Sequence, residues 1–172
     1  MYDIIIAGGG PAGLTAAVYA LRAGKTVLVI EKNSFGGQIA FSPKVENIPG
    51  FVQISGTEFA DQLVEQAMNL GAEMELEKVI AVEKKGDIFA VSTEEGSEFE
   101  GKAVILALGV KHRTLGLRGE EELIGNGISF CAVCDGAFYT GQDVAMIGGG
   151  NSALQEALLL SEVCNKVTIV QN

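Results

Sequence analysis

Two stretches of the chain join a short apolar run to a glycine-rich turn. In the first, the isoleucines at 4–6 lead into Gly-Gly-Gly-Pro-Ala-Gly at residues 8–13. Residues 14–23 are small and mostly apolar, and residues 27–30 form a second apolar run that ends at Glu31. Continuous apolar runs are typical of parallel strands that are buried on both faces. This stretch therefore predicts a strand, a glycine turn, a helix and a second strand.

The same pattern recurs near the end of the chain. Residues 143–153 repeat residues 3–13, with Ala153 in place of the third glycine. The dinucleotide-binding fingerprint allows alanine there. Residues 154–170 again read as a helix followed by a strand. The second stretch therefore predicts another strand-turn-helix-strand unit.

Between the two units the hydrophobic period changes. Residues 33–56 read as a loop, after which Thr57 is expected to cap an amphipathic helix that Gly71 ends. From residue 75 to residue 100 the period becomes two, which predicts an antiparallel meander with strands near 79–82, 88–91 and 98–100. Residues 103–108 predict a return to a buried strand.

These patterns predict an α/β fold with two Rossmann-like parts. We expect a first nucleotide-binding domain over residues 1–112, with a parallel sheet plus an antiparallel β-meander. Residues 113–172 are expected to begin a second nucleotide-binding domain, of which only the first half is present. The single histidine, His112, lies between two basic residues and is expected to be a solvated loop residue.

Composition narrows the function classes. The chain has 12 basic and 22 acidic residues and a net charge of -10, which argues against nucleic acid and anionic membranes as partners. The first apolar run lacks a basic flank and is expected to be a buried strand, not a signal peptide. No apolar run approaches the about 20 residues that span a bilayer. Three cysteines, an odd number, favour the cytoplasm over a secreted disulfide framework.

The glycine turns indicate dinucleotide chemistry. Gly8 permits a tight turn, Gly10 lets the backbone approach a pyrophosphate, and Gly13 lets the helix pack on the strand. The helix N-terminus then meets the anion. Glu31 stands where a carboxylate accepts hydrogen bonds from a ribose diol, and the corresponding position of the second unit holds neutral Gln171.

Cys131 and Cys134 form a Cys-x-x-Cys pair, with Asp135 directly after it. Alone, such a pair is typical of half a zinc site, a structural disulfide or a redox dithiol. The two flanking nucleotide units favour the redox interpretation, because a flavin is the usual carrier between a nicotinamide and a thiol pair. No metal site is expected, since Cys164 falls on the predicted second helix and the single histidine is distant in sequence.

The chain resembles the low-molecular-weight thioredoxin reductases over its whole length. The segments that carry the resemblance are Gly8–Gly13, Gly36–Gln38, Val45–Gly50, Cys131–Asp135 and Gly148–Ala153. The resemblance implies FAD in the first unit, NADPH or another pyridine nucleotide in the second, and thioredoxin or a similar small disulfide protein as partner. It also implies a homodimer for the full-length protein.

The resemblance further implies roles for individual residues. Cys134 would face the flavin, Cys131 would attack the partner's disulfide, and Asp135 would be the acid and base that moves protons during exchange between the flavin and the dithiol. The residues expected along FAD are Gly8, Gly10, Pro11, Ala12, Gly13, Glu31, Gly37, Gln38, Asn47, Ala107 and Gly109. Those expected at the second nucleotide are Gly148, Gly150, Asn151, Ser152 and Ala153.

Three departures from the family pattern matter. Leu108 replaces a threonine in the family's Ala-Thr-Gly segment, which Ala107 and Gly109 retain. Gln171-Asn172 stands where NADPH-specific relatives carry a His-Arg-Arg run, so NADH or a ferredoxin-type donor is an alternative. The family's chains are also far longer, which predicts that this chain is a fragment. Open alternatives are therefore a dithiol oxidoreductase with another donor or partner, such as a peroxiredoxin-type protein or small-molecule dithiols, and a non-catalytic FAD-binding module.

Overall fold

A computed structural model describes residues 1–171, and Asn172 lies outside the described residues. The chain divides into two compact units, Met1–Lys111 and His112–Asn172. In the described part of the chain, no helix is long and apolar enough to cross a membrane.

The first unit contains six strands and two helices. The strands are β1 Tyr2–Ala7, β2 Val27–Glu31, β3 Glu73–Leu76, β4 Val79–Lys85, β5 Ile88–Thr93 and β6 Glu98–Leu106. The helices are α1 Pro11–Arg22 and α2 Gly56–Asn69, with a 3₁₀ turn at Gly37–Phe41. The strands form one sheet in the order β3-β2-β1-β6-β5-β4. The pairs β3-β2, β2-β1 and β1-β6 are parallel, and β6-β5 and β5-β4 are antiparallel. The predicted α/β fold with a mixed sheet is confirmed.

Strands β1 and β2 are largely buried on both faces, as their apolar runs predict. The expectation of a buried strand at 103–108 is wrong, because Leu106 and Leu108 are exposed. Successive side chains of a strand point to opposite faces of the sheet. Ile6 and Val29 pack with Leu14 of α1 and Ala67 of α2 in one cluster. A second cluster combines neighbouring residues of the same strands with a residue of the meander, namely Ile5, Leu28, Ile30 and Val91. The parallel core strands thus hold the first glycine turn at their carboxyl ends.

Strand β6 joins two strands that the sequence pattern separates. The predicted segments 98–100 and 103–108 form one strand that ends at Leu106. Its first half pairs antiparallel with β5, for example Val91 with Phe99, and its second half pairs parallel with β1, for example Ile5 with Val104. The change from alternating to continuous apolar residues therefore marks a change of partners within one strand.

Two other predictions of local structure are wrong in detail. Ser55, not Thr57, caps α2, because its Oγ accepts the backbone N–H of Glu58 at 3.1 Å. The Thr57 hydroxyl instead donates to the carbonyl oxygen of Ala40 at 3.1 Å. Strand β3 is absent from the prediction, because this edge strand is mostly exposed and has no apolar run.

Over residues 112–171, the second unit contains a two-stranded parallel sheet and three helices. The strands are β7 Asp143–Ile147 and β8 Lys166–Val170, joined by α5 Asn151–Ser161. The short helices α3 Glu120–Leu123 and α4 Ala132–Asp135 precede them, with a 3₁₀ turn at Gly136–Tyr139. The order β7-α5-β8 is the predicted strand-turn-helix-strand unit.

Two residues of this unit make side-chain contacts that the sequence pattern does not predict. His112 is exposed, yet its ring stacks on Phe130, with 4.4 Å between the ring centroids and 1° between the planes. Cys164 lies after α5, not on it, and its Sγ is 3.4 Å from the carbonyl oxygen of Tyr139. Sequence periodicity reports neither contact, because each depends on one side chain reaching a distant backbone or ring.

Glu120 is the buried charged residue of the second unit within the described chain. Its carboxylate accepts the backbone N–H groups of Leu115 at 2.8 Å and of Leu117 at 3.1 Å. These hydrogen bonds hold the pKa of Glu120 below its usual range, although burial opposes the shift. The carboxylate thus fixes the loop that precedes α3.

The lowered pKa of Glu120 predicts an acid-sensitive second unit. Stability from this group is fully present above the ordinary glutamate pKa and is lost as pH falls through the lowered folded-state value. Glu120→Gln should therefore lower the melting temperature at pH 7 and reduce its further loss at low pH. Thermal unfolding between pH 7 and pH 3 would measure this, with exposed Glu121→Gln as control. Equal melting curves for the two variants would contradict the assignment.

Candidate functional site

The first glycine turn is built by close backbone approach. Gly8 follows β1 with φ +112°, and its N–H donates to the carbonyl oxygen of Ile30 at 2.8 Å. A Cβ atom at Gly8 would overlap the carbonyl oxygen of Ala107, just beyond β6, and one at Gly13 would overlap the carbonyl oxygen of Gly8. Only glycine therefore lets α1 start this close to the ends of β1 and β6.

The N-terminus of α1 is open to an anion. Gly10 precedes the helix without a side-chain cap, and the first turn, which begins with Pro11 and Ala12, carries no acidic residue. A Cβ atom at Gly37 would lie 3.0 Å from the Cα of Gly10, so the following loop runs close beside the turn. Uncapped backbone N–H groups at a helix N-terminus bind phosphate groups. This arrangement can hold a pyrophosphate.

Glu31 is tied to the same turn. Its Oε2 accepts the N–H of Gly9 at 2.8 Å, and its Oε1 accepts the N–H of Asn33 at 3.1 Å. The residue is half-buried. Because each carboxylate oxygen has two lone pairs, each retains an acceptor site for a hydroxyl group. The carboxylate can therefore bind a ribose diol beside the turn.

The other predicted residues of the first unit divide into two groups. The Nε2 of Gln38 donates to the carbonyl oxygen of Val110, and the N–H of Ala107 donates to the carbonyl oxygen of Ala7 at 2.8 Å. Gly109, with φ +62°, lies between these contacts in sequence. Asn47 is exposed, and no hydrogen bond within residues 1–171 links it to the glycine turn. Hydrogen bonds thus tie Gln38 and Ala107 to the end of β6, beside Gly109, whereas no hydrogen bond among the described residues ties Asn47 there.

The second glycine turn copies the first. Gly148 has φ +127°, and its N–H donates to the carbonyl oxygen of Val170 at 2.8 Å. Gly150 precedes α5 without a side-chain cap, as Gly10 precedes α1. The next three residues form the first turn of α5, where Asn151 and Ser152 are exposed and Ala153 is half-buried. Both units therefore present the same backbone surface.

Gln171 marks the difference between the two turns. A Cβ atom at Gly149 would overlap the side-chain amide of Gln171, so this side chain lies over the turn. In the first unit the Glu31 side chain occupies the corresponding place beside Gly9. The second turn thus has a neutral amide where the first has a carboxylate.

Cys131 and Cys134 form a disulfide with 5.3 Å between their Cα atoms. Cys131 precedes α4, and its Sγ accepts the N–H of Cys134 at 3.2 Å. Cys131 is half-buried, whereas Cys134 and its neighbour Val133 are exposed. The disulfide is therefore accessible from outside the second unit, and a backbone donor is already aimed at one sulfur.

Two side chains near the disulfide were not predicted to have a role. The Ser129 hydroxyl lies 2.6 Å from Asp135 Oδ2, and the Glu156 carboxylate accepts the N–H of Ala132 at 3.3 Å. A serine two residues before the first cysteine was a weak available signal, because serine often bonds to nearby backbone in turns. No sequence pattern indicates the contact from α5. The described residues contain no group of three or more His, Cys, Asp or Glu that could hold a metal.

Sequence comparison with protein families and curated proteins gives independent evidence on the family of this chain. The model of the family described as pyridine nucleotide-disulphide oxidoreductase matches residues 2–172. The bifunctional thioredoxin reductase/thioredoxin of Mycobacterium leprae is 49% identical over 171 residues, covering 99% of this chain and 37% of that protein. The thioredoxin reductase of Bacillus subtilis is 44% identical, covering 99% and 54%. The chain thus spans about half or less of these relatives.

Solved structures give the same picture. The thioredoxin reductase of Streptococcus pyogenes superposes with a TM-score of 0.94 at 44% identity, covering 98% of this chain and 55% of that one. The thioredoxin reductase of Giardia duodenalis gives 0.92 at 36% identity, with the same coverage of both chains.

The close approach at Gly8 can be tested by two matched substitutions. Gly8→Ala should lower the free energy of unfolding of the first unit by about 3 kcal/mol or more, because positive φ strain adds to the overlap with Ala107. Gly24→Ala has positive φ but nothing within 4 Å. Gly24→Ala should therefore lower the free energy of unfolding by only about 1 kcal/mol. Urea denaturation of both variants would measure the difference, and equal losses would refute the packing argument.

Proposed function

The chain belongs to the pyridine nucleotide-disulphide oxidoreductase family, and we propose that it is the flavin-binding and dithiol-bearing part of an FAD-dependent thioredoxin reductase. The observation that carries this proposal is an accessible Cys131–Cys134 disulfide in a chain with two nucleotide-type glycine turns. The partner is thioredoxin or a similar small disulfide protein. The full-length protein acts as a homodimer in the cytoplasm.

The first unit fits FAD by the shape of its cradle. Gly10 and Gly37 lie so close together that side chains at these positions would narrow the approach to the α1 N-terminus. The open helix terminus would hold the pyrophosphate, and Glu31 would hold the ribose. Gln38, Ala107 and Gly109 would line the remainder of the cofactor, and a place for Asn47 beside them rests on the family resemblance alone. Bound there, FAD would supply a carrier that takes up hydride from a nicotinamide and delivers two electrons to a disulfide.

The dithiol would carry those electrons to the partner. The Cys131 thiolate attacks one sulfur of the partner's disulfide, and the other partner sulfur leaves and takes up a proton. The Cys134 thiolate then attacks Cys131 in the mixed disulfide, which re-forms the Cys131–Cys134 bond and releases the second partner thiol. Two electrons and two protons pass to the partner, and Asp135 accepts and returns protons in this exchange.

The second unit would bind the pyridine nucleotide at its glycine turn. Gly148 and Gly150 let the backbone approach the pyrophosphate, and Asn151, Ser152 and Ala153 begin the helix that faces it. Gln171 would reach the adenosine ribose. A neutral amide neither repels a 2′-phosphate nor forms the charge-assisted bonds that a guanidinium makes to it.

The dithiol role predicts a specific pattern among the three cysteines. The full-length protein should be yellow and should reduce thioredoxin with a pyridine nucleotide as donor. Cys131→Ser and Cys134→Ser should each abolish thioredoxin reduction while FAD stays bound, because each removes one half of the redox pair. Cys164→Ser is the matched control and should keep full activity. Steady-state assays and flavin absorption would measure both effects, and activity retained in Cys134→Ser would overturn the proposal.

The amide of Gln171 predicts weak discrimination between NADH and NADPH. The ratio of the two kcat/KM values should stay within about tenfold, the equivalent of about 1.4 kcal/mol. Gln171→Glu should shift the ratio toward NADH, because a carboxylate accepts the 2′-hydroxyl and repels a 2′-phosphate. Exposed Gln155→Glu makes the same chemical change on α5 and should leave the ratio unchanged. Turnover with reduced ferredoxin alone would show instead that the donor is a ferredoxin-type protein.

A further inference from the structure

The Ser129 hydroxyl joins the Asp135 side chain to the backbone of Cys131. Its Oγ lies 2.6 Å from Asp135 Oδ2 and accepts the N–H of Cys131 at 3.1 Å. The same Oγ is 3.3 Å from the carbonyl oxygen of Cys131. One side chain therefore touches both the nucleophilic cysteine of the proposed reaction and its acid-base group.

The single proton of this hydroxyl has two possible acceptors. The carboxylate oxygen is the nearer one, at 2.6 Å against 3.3 Å for the carbonyl oxygen. Hydrogen bonds to an ionised acceptor are also shorter and stronger than those to a neutral one. The hydroxyl therefore donates to Asp135, and the chain of bonds runs from the Cys131 N–H through Ser129 to the carboxylate.

Asp135 has little else to hold its side chain. It is the last residue of the four-residue helix α4, and its own N–H donates to the carbonyl oxygen of Cys131 at 3.0 Å. Within residues 1–171, the bond from Ser129 is the one hydrogen bond to its carboxylate. A half-buried carboxylate without that bond would sample several rotamers, and a proton-transfer group must stay within hydrogen-bond reach of its target.

We propose that Ser129 is a positioning residue that holds the Asp135 carboxylate in place for proton transfer at the Cys131–Cys134 dithiol. The inference rests on the proposed dithiol function and deepens it. When a thiol of the pair attacks a disulfide, its proton passes to Asp135 as the new S–S bond forms. The old S–S bond breaks, and the leaving sulfur takes up the proton from Asp135. The dithiol loses two electrons and two protons in total, and the substrate disulfide gains them.

A purely structural role for Ser129 makes different predictions. Serine before a short helix can act only as a cap for the turn, through the N–H of Cys131. In that case its loss would affect stability, and the effect on rate would not depend on Asp135. Thr140 offers a matched control, since its hydroxyl donates to the carbonyl oxygen of Ala137 at 2.7 Å and bonds to no carboxylate within residues 1–171.

The test uses the full-length protein with FAD bound and two readouts. The first is steady-state reduction of thioredoxin. The second is oxidation of the reduced dithiol by oxidised glutathione, followed by mass spectrometry after alkylation, which requires neither nucleotide nor thioredoxin. Ser129→Ala should slow both reactions about tenfold, a part of the 10²–10⁴-fold that general acid-base catalysis contributes. Thr140→Val should change either rate by less than about twofold.

A double-mutant cycle with Asp135→Asn decides between the two roles. If Ser129 acts through Asp135, adding Ser129→Ala to Asp135→Asn should slow the glutathione reaction no further. Equal slowing by Ser129→Ala in both backgrounds would overturn the proposal. If the alanine variant fails to fold, Ser129→Thr and Ser129→Val replace it. These two side chains are β-branched and similar in volume, and only threonine keeps the hydroxyl group. Thr should restore the rate and Val should not, and equal rates for the two would also overturn it.

The two readouts separate this inference from the proposed function. A protein that oxidises its dithiol with glutathione in a Ser129-dependent manner, yet fails to reduce thioredoxin, would retain the positioning role and lose the assigned partner. Thioredoxin reduction that is unaffected by Ser129→Ala would retain the proposed function and refute the positioning role.

Discussion

The close approach of backbone to backbone at Gly8 is the constraint on which the first unit depends. Strand β1 ends against the carbonyl oxygen of Ala107, and α1 starts against the carbonyl oxygen of Gly8, so no side chain can intervene at Gly8 or Gly13. This closeness leaves the first N–H groups of α1 uncapped at the edge of the sheet. Packing in the core fixes β1 and α1 against each other. The glycine turn between them exposes the backbone N–H groups that can bind an anion.

The elements that sequence predicts well are those whose burial is uniform. β1 and β2 are apolar on both faces because both faces are covered, and the glycine turns follow because only glycine accepts the required backbone. β3 escaped prediction because an exposed edge strand needs no apolar residues. β6 was divided because its two halves pair with different kinds of neighbour. The local pattern thus identifies strands, whereas burial and the choice of partner strand depend on the whole sheet, since Leu106 of β6 and Val170 of β8 are exposed despite their apolar runs.

The candidate site shows the same division. The cysteine spacing and the repeated turn were predictable from the sequence, and the repeat assigned Gln171 to the position in the second unit that corresponds to Glu31 in the first. The bonds of Ser129 to Asp135 and of Glu156 to Ala132 were not, because each depends on a side-chain rotamer in a short turn or on packing of α5 against α4. The residues that could carry out the chemistry were thus predictable from the sequence. The groups that orient them could be identified only from the structure.

The central claim is that one protein holds a flavin and a Cys131–Cys134 dithiol that exchange electrons. An anaerobic reductive titration of the full-length protein tests this claim most directly. The number of electrons taken up per flavin is followed by flavin absorption. The account predicts about four electrons per flavin in the native protein and about two in Cys131→Ser, because a flavin and a disulfide each accept two. Uptake of about two electrons by both proteins would contradict it, since the disulfide would then stand outside the redox chain.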